Sequence, residues 1–163
     1  MVEIKPLSPE DWRLTRQLRL DSLLDSPQAF GGTYEATIQR TEEQWREWPT
    51  GGQPFAAFLD GRPVGIACGV PSGDPRIDHL IAMWVEPEAR GRGAAPALID
   101  AVAGWARDRG RDLLELDVYE SNAAAHRAYL KCGFAVIGQC ADHPGALTMH
   151  LLLPRSASGI ALD

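Results

Sequence analysis

The chain has few of the features that would place it in a specialised class. Only three of its 163 residues are cysteines, Cys68, Cys132 and Cys140, an odd number with no C-x-x-C pair. With no secretory signal pattern ahead of them, they point to a reduced, cytoplasmic protein rather than a disulfide framework. No run approaches the ~20 consecutive apolar residues of a membrane helix, so no membrane partner is expected. Lys5 and Lys131 are the only lysines and neither follows a glycine-rich turn, which excludes a P-loop nucleotide site. A formal net charge of −6 is the opposite of the broad basic surface that general nucleic-acid binders use. His79, His126, His143 and His150 show no metal-ligand spacing with one another or with the cysteines, so no metal is expected. Internal repeats and low-complexity tracts are missing too.

What is there is ordinary for a globular domain. With 45% hydrophobic residues, the chain reads as a single domain over residues 1–154 with one sizeable core, and 155–163 as a flexible tail. Residues 2–7 read as a strand. Ser8-Pro9-Glu10-Asp11 opens a helix, with Ser8 as N-cap, proline in the first helical position and acids in the first turn. Leu14, Leu18, Leu20, Leu23 and Leu24 carry its apolar face to about Ser26. After a loop over Ala29-Phe30-Gly31-Gly32-Thr33-Tyr34, a second helix is predicted over 37–48. Strands 55–59 and 63–70 form a hairpin around Asp60-Gly61-Arg62, and 77–85 is a third long strand. A helix after Gly93 buries Leu98, Val102 and Trp105 and closes at Gly110. Strand 113–119, a helix capped by Asn122 and ended by Gly133 with Phe134 after it, and strands 134–140 and 146–153 complete the order β-α-α-β-β-β-α-β-α-β-β. This is an α/β fold, a mixed sheet covered by helices.

One stretch carries chemistry. Val85 to Ala95 is a β-rich run that ends in a glycine-bearing turn and opens a helix. Gly91 and Gly93 let the backbone take positive φ and approach a ligand closely. Unpaired N–H groups of the helix's first turn aim donors at negative charge, and Arg90 and Arg92 make a local basic spot on an acidic chain. A phosphate-bearing cofactor is the expectation. A dinucleotide-binding Gly-x-Gly-x-x-Gly/Ala would follow the first strand, whereas this turn comes late and has Pro96 at the third position, so that class is set aside. A single Arg-Gly-Arg-Gly on an acidic chain is no RNA-binding tract.

A second stretch makes the reading specific. Val85-x-Pro87-x-x-Arg90-Gly91-x-Gly93-x-Ala95-x-x-Leu98, followed after one strand by Asn122-x-x-Ala125-x-x-x-Tyr129-x-x-x-Gly133-Phe134, resembles the two central motifs of the GNAT superfamily of N-acetyltransferases. The order of elements fits that fold over most of the chain. The resemblance implies direct transfer of the acetyl group of acetyl-CoA to an amine, with both substrates bound together and no acyl-enzyme. It also implies that Met83, Trp84 and Val85 offer backbone groups to the pantetheine arm where their strand splays from its neighbour. Arg90, Gly91, Arg92, Gly93, Ala94 and Ala95 would then hold the pyrophosphate, Asn122 and Ala125 would face the cofactor, and Tyr129 would serve the departing thiolate. Pro96 has no N–H to give, which moves the anion contact slightly earlier in the loop.

These residues also have plainer readings. Asn122 is an N-cap whether or not it faces a ligand, and Tyr129 fits equally as a packed aromatic. A phenol of pKa ~10 protonating a thiolate of pKa ~8.5 is uphill by about 2 kcal/mol, so Tyr129 is expected to act partly as a hydrogen-bond donor. An acceptor that arrives as ammonium must lose a proton to a side chain or to ordered water. His79, six residues before Val85 on one strand, is the candidate base, because histidine exchanges protons near neutrality. A lone strand histidine also reads as structural. Its neighbour Asp78 faces the other way, since period two lets only one of the pair point at the site.

The resemblance places the acceptor at the Phe30–Tyr34 loop, at Trp45 and Trp48, and near Asp142 and His143. Aromatic and acidic groups there suit a cationic amine; the same aromatics read equally as core. Polyamine, amino acid, aminoglycoside-like drug, peptide N-terminus and lysine all remain open as acceptors. An exposed sheet edge offers a homodimer contact. A non-catalytic acetyl-CoA-binding sensor of the same fold is the alternative, which the presence of Tyr129 argues against.

Overall fold

The computed structural model describes residues 1–154, and the tail expected at 155–163 lies outside them. Seven strands form a mixed sheet: β1 (Val2–Pro6), β2 (Gln53–Leu59), β3 (Arg62–Pro71), β4 (Ile77–Val85), β5 (Leu113–Tyr119), β6 (Ala135–Gln139) and β7 (Ala146–Leu152). Their hydrogen-bonding order is β1-β2-β3-β4-β5-β7-β6. The helices are α1 (Trp12–Asp25), α2 (Tyr34–Thr37), α3 (Glu42–Glu47), α4 (Ala94–Asp108) and α5 (Ala123–Lys131). The chain divides into two compact units, one formed by Met1–Val70 with Leu80–Val102, the other by Pro71–His79 with the chain from Ala103 on.

In the first unit, Ser8 caps the helical start as expected. Its Oγ accepts from the Glu10 N–H (3.3 Å) while Asp11 Oδ2 accepts from the Ser8 N–H (2.9 Å), a reciprocal capping box. A 3-10 turn at Pro9–Asp11 comes first, so the α-helix itself begins at Trp12. The single helix expected over 37–48 is corrected to two short ones. Thr33 caps α2, and Thr41 starts α3 through a second capping box with Gln44, because a threonine hydroxyl competes for backbone donors and restarts the helix. The β2–β3 hairpin turns at Asp60 and Gly61, with φ of 51° and 82°, the mirror-image turn that matches strand twist.

Leu7, Leu18, Ala56, Ile66, Cys68, Ala82 and Trp84 form the core of this unit, with Phe30 and Trp48 packed against it. Gly65 is required by crowding, since a Cβ there would lie 2.7 Å from the Trp84 carbonyl oxygen. Ala82 has φ 56°, a left-handed backbone that costs a non-glycine residue roughly 1–2 kcal/mol. Such strain persists only where surrounding packing holds it. It sits immediately before Met83–Val85.

In the second unit, β4 runs parallel to β5 over Ile77–His79, opposite Leu113, Leu114 and Glu115; among the described residues the register ends there. β5 pairs antiparallel with β7, from Leu113 opposite Leu152 to Tyr119 opposite Ala146, and β7 with β6. Asn122 Oδ1 accepts from the Ala125 N–H (3.3 Å) at the start of α5. Its end matches expectation: Gly133 takes φ 101°, and the Phe134 N–H returns to the Tyr129 carbonyl (3.1 Å), a left-handed helix stop. Leu114, Leu116, Val118, Phe134 and Met149 are buried. Trp105, expected in the core, is only half-buried; its ring carries the Arg109 guanidinium 4.5 Å from the centroid.

Candidate active site

In the first unit, the expected cradle forms one continuous turn. After β4 come a 3-10 turn at Pro87–Ala89, then Gly91 (φ 80°) and Gly93 (φ 91°), then α4. Nothing lies within 4 Å of where a Cβ would stand at either glycine, so backbone conformation rather than crowding calls for them. Past Arg90, the first N–H to return to a carbonyl is that of Ala97, to Gly93 (3.2 Å), which leaves donors of the first turn for a ligand. Arg92 is exposed, Ala94 buried and Ala95 half-buried.

Arg90 differs from its neighbours. Its N–H donates to the Pro87 carbonyl (3.3 Å), its Nε to the Val85 carbonyl (2.9 Å) and its Nη2 to Asp25 Oδ2 (3.0 Å). The same Asp25 oxygen accepts from Trp84 Nε1 (2.9 Å). The Trp84 bond, then Ser26, and more weakly Arg90 hold the Asp25 carboxyl below the usual range against the opposing effect of burial. Arg90 therefore braces the turn, with Trp84 held by the same carboxylate. Met83 is half-buried, and Trp84 and Val85 are buried.

In the second unit, Asp78 and His79 point in opposite directions as period two requires. Asp78 is fully buried and accepts from Arg109 Nε (2.8 Å) and Arg111 Nε (3.1 Å). His79 Nε2 meets Glu115 Oε2 at 2.5 Å, and the other oxygen of Glu115 meets His150 Nε2 at 2.8 Å. Sequence reasoning found neither Glu115 nor His150 as part of a site, because only the β4–β5–β7 register brings them beside His79. Asn122 spends its carbonyl oxygen on the Ala125 N–H, so its amide N–H groups are what remains for a ligand. Tyr129 is half-buried, edge-on to Phe134 at 5.7 Å. Burial, with the Cys132 thiol adding to it, pushes its phenol well above the ordinary range, so it is a neutral donor throughout the physiological range. Among the described residues, no group of three or more His, Cys, Asp or Glu stands in position to hold a metal.

The expected acceptor region needs a correction. Trp45 is buried at 1% exposure and Trp48 half-buried, but the rings do not wait for a cationic substrate. Arg19 lies over Phe30 and Trp48, and Arg40 over Trp45 and Trp48. The chain's own guanidiniums occupy the cation-binding faces. Asp142 and His143 are exposed.

Residues 19–134 match the model of the acetyltransferase (GNAT) family. The chain is 33% identical over 124 residues to a mycothiol acetyltransferase of Stackebrandtia nassauensis, covering 74% of this chain and 40% of that protein. It spans about two fifths of the length of the first curated relatives it matches. A nourseothricin acetyltransferase of known structure shares 32% identity over 64% of this chain and 67% of its own, with a TM-score of 0.59. A Salmonella typhimurium protein solved with acetyl-CoA as its cofactor has the same fold at a TM-score of 0.74 and 20% identity, covering 100% of this chain and 98% of its own. No helix among the described residues is long and apolar enough to cross a membrane.

Proposed function

We propose, on the premise that this chain belongs to the GNAT family of acetyltransferases, that it moves the acetyl group of acetyl-CoA directly to an amine bound beside it. The observation that carries this reading is the pair of open, left-handed glycines, Gly91 and Gly93, at the mouth of α4. They leave backbone N–H groups approachable where the helix dipole favours an anion. Gly91, Arg92, Gly93, Ala94 and Ala95 would hold the pyrophosphate while Arg90 braces the turn. The backbone of Met83, Trp84 and Val85, beyond the end of the β4–β5 register, would take the pantetheine arm, and the free amide N–H groups of Asn122 would face it.

Bound acetyl-CoA supplies the activated thioester; the proton handling belongs to this chain. With Nε2–H donated to Glu115, the basic nitrogen of His79 is Nδ1, which takes the proton of the incoming amine while the carboxylate stabilises the imidazolium. Tyr129 donates its O–H to the departing sulfur. Because burial raises its phenol, full proton transfer is costlier than the about 2 kcal/mol of the unperturbed pair. Its part is therefore hydrogen-bond stabilisation. Tyr129→Phe should lower acetyl turnover on the order of a hundredfold and leave calorimetric acetyl-CoA affinity nearly intact. Equal turnover in the variant would remove Tyr129 from the mechanism.

A further inference from the structure

Arg19 on α1 and Arg40 between α2 and α3 are in a state that packing does not explain. Arg19 is 9% exposed, yet its Nε and Nη1 are buried with no hydrogen-bond partner among the described residues, as is Arg40 Nη1. The Arg19 Cζ lies 4.8 Å from the Phe30 ring centroid and 5.7 Å from that of Trp48; the Arg40 Cζ lies 4.8 Å from Trp45 and 5.1 Å from Trp48. Two cations thus share one indole. Among the described residues neither arginine forms an ion pair, whereas Arg46, Arg62 and Arg90 of the same unit do. Cys68 is no counter-ion, because burial pushes its thiol far up. Desolvation pulls Arg19 down to about 10, with Arg40 adding to the effect, and lowers Arg40 as well. Aromatic faces offset part of that cost, but buried guanidinium donors left unmade remain unfavourable until something accepts from them.

We propose that Arg19 and Arg40 recognise an anionic group, carboxylate or phosphate, carried by the amine that accepts the acetyl group. This rests on the acetyl-transfer reading and names its acceptor class: an amine that bears an anion, not a polyamine. Phe30 and Trp48, which wall the arginines, pack on the same core cluster as Ala82 and Trp84 of β4, the segment assigned to the thioester arm. Gly32 is exposed, and a Cβ there would stand 3.7 Å from Arg19 Nη2. The same Cβ would stand 3.8 Å from Thr37 Oγ1, so at Gly32 itself the loop puts only backbone against this side of the guanidinium. A polycation would bring like charge against two unneutralised arginines, so the same pair that attracts an anion excludes it.

The test uses the full chain and matched acceptors: free amino acids beside their carboxamides, O-phosphoethanolamine beside ethanolamine, and spermidine. Product mass and acetyl-CoA consumption read transfer. Separately, N-acetyl amino acids and inorganic phosphate are tested for a shift in thermal midpoint without acetyl-CoA, which needs no turnover. The expected kcat/KM for an anion-bearing amine exceeds that of its neutral analogue on the order of tenfold or more, and whichever anion leads identifies the group. Both that ratio and the thermal shift should collapse in Arg40→Gln. They should also collapse in Gly32→Leu, which keeps both guanidiniums and covers Nη2. Equal use of paired acceptors, or preference for spermidine, overturns the anion site and leaves acetyl transfer standing. An anion-induced shift lost in Arg40→Gln, with no product from any amine, supports the site and overturns acetyl transfer instead. No shift and no product overturns both.

Discussion

Both units place arginines against their interiors, and they do so in opposite ways. In the second, Arg109 and Arg111 converge on Asp78, a carboxylate with 0% exposure, at 2.8 and 3.1 Å. Asp78 balances one of the two positive charges and accepts from both guanidiniums, Arg111 also donates to the Pro75 carbonyl, and both arginines stay partly open to water. In the first, Arg19 and Arg40 converge on Trp48 with donors unused and no carboxylate among the described residues. Desolvation opposes both arrangements, but only one is compensated within the chain. Burial and residue type alone therefore do not separate the two clusters; the unmatched buried donors of Arg19 and Arg40 do.

The largest expected effect comes from breaking the compensated cluster. Asp78→Ala leaves two partly buried guanidiniums unpaired and should lower the unfolding free energy by about 3 kcal/mol, read as a lower urea midpoint at unchanged slope. A change under about 1 kcal/mol would mean that Asp78 does not hold its arginines in solution, and the contrast between the units would fall.

A second measurement asks whether Arg19 has a hidden counter-ion in Cys68. Burial raises the folded thiol far above its unfolded value, and the opposing pull of Arg19 is the smaller effect. The folded state thus holds the thiol proton more tightly than the unfolded chain does. This contribution is complete below about pH 8.5 and is lost as pH rises, by about 1 kcal/mol between roughly pH 8 and 9.5. Cys68→Ala should flatten the wild-type decline across that window, before tyrosines titrate. A wild type that gains stability over the same range would reveal a thiolate paired with Arg19. The comparison would then be between two compensated clusters.

The second unit contains a further compensated group, Glu115 between His79 and His150. Their side chains are 21%, 32% and 18% exposed, so solvent discounts the interaction. Glu115→Gln keeps the shape and removes one of two acceptors, and should cost somewhat under 1 kcal/mol at pH 7. No loss of denaturation midpoint would show that the ladder is spectator geometry and would weaken His79 as a supported base.

How much of this was legible in the sequence follows from the range of the interactions. β4 and β5 agree with the expected strands to the residue, because their apolar runs are bounded by turn residues and burial dictates both ends. The cradle glycines and the Asn122 and Gly133 caps were legible because each is decided within four residues. The break between α2 and α3 was visible in principle, since Thr41 and Gln44 spell a capping box inside the span read as one helix. Glu115 and His150 were not legible, because only strand register joins positions 35 residues apart. Arg19 was hidden by its own helix. It follows Leu18 on α1, and its burial depends on rings contributed by Phe30 and Trp48, which no local periodicity announces.

The smallest expected effect is the sharpest for the comparison. If Arg19 were structural in the way Arg109 is, replacing it would remove a needed charge. As an uncompensated cation it contributes only packing and ring contact, and a long apolar side chain supplies most of the packing while removing the desolvation cost. Arg19→Met should accordingly leave the unfolding free energy within about 1 kcal/mol of wild type, in either direction, and abolish the anion-dependent thermal shift. A loss as large as that of Asp78→Ala would make Arg19 a load-carrying structural charge with a partner in solution. A stable Arg19→Met that still shifts with anions would place their binding elsewhere.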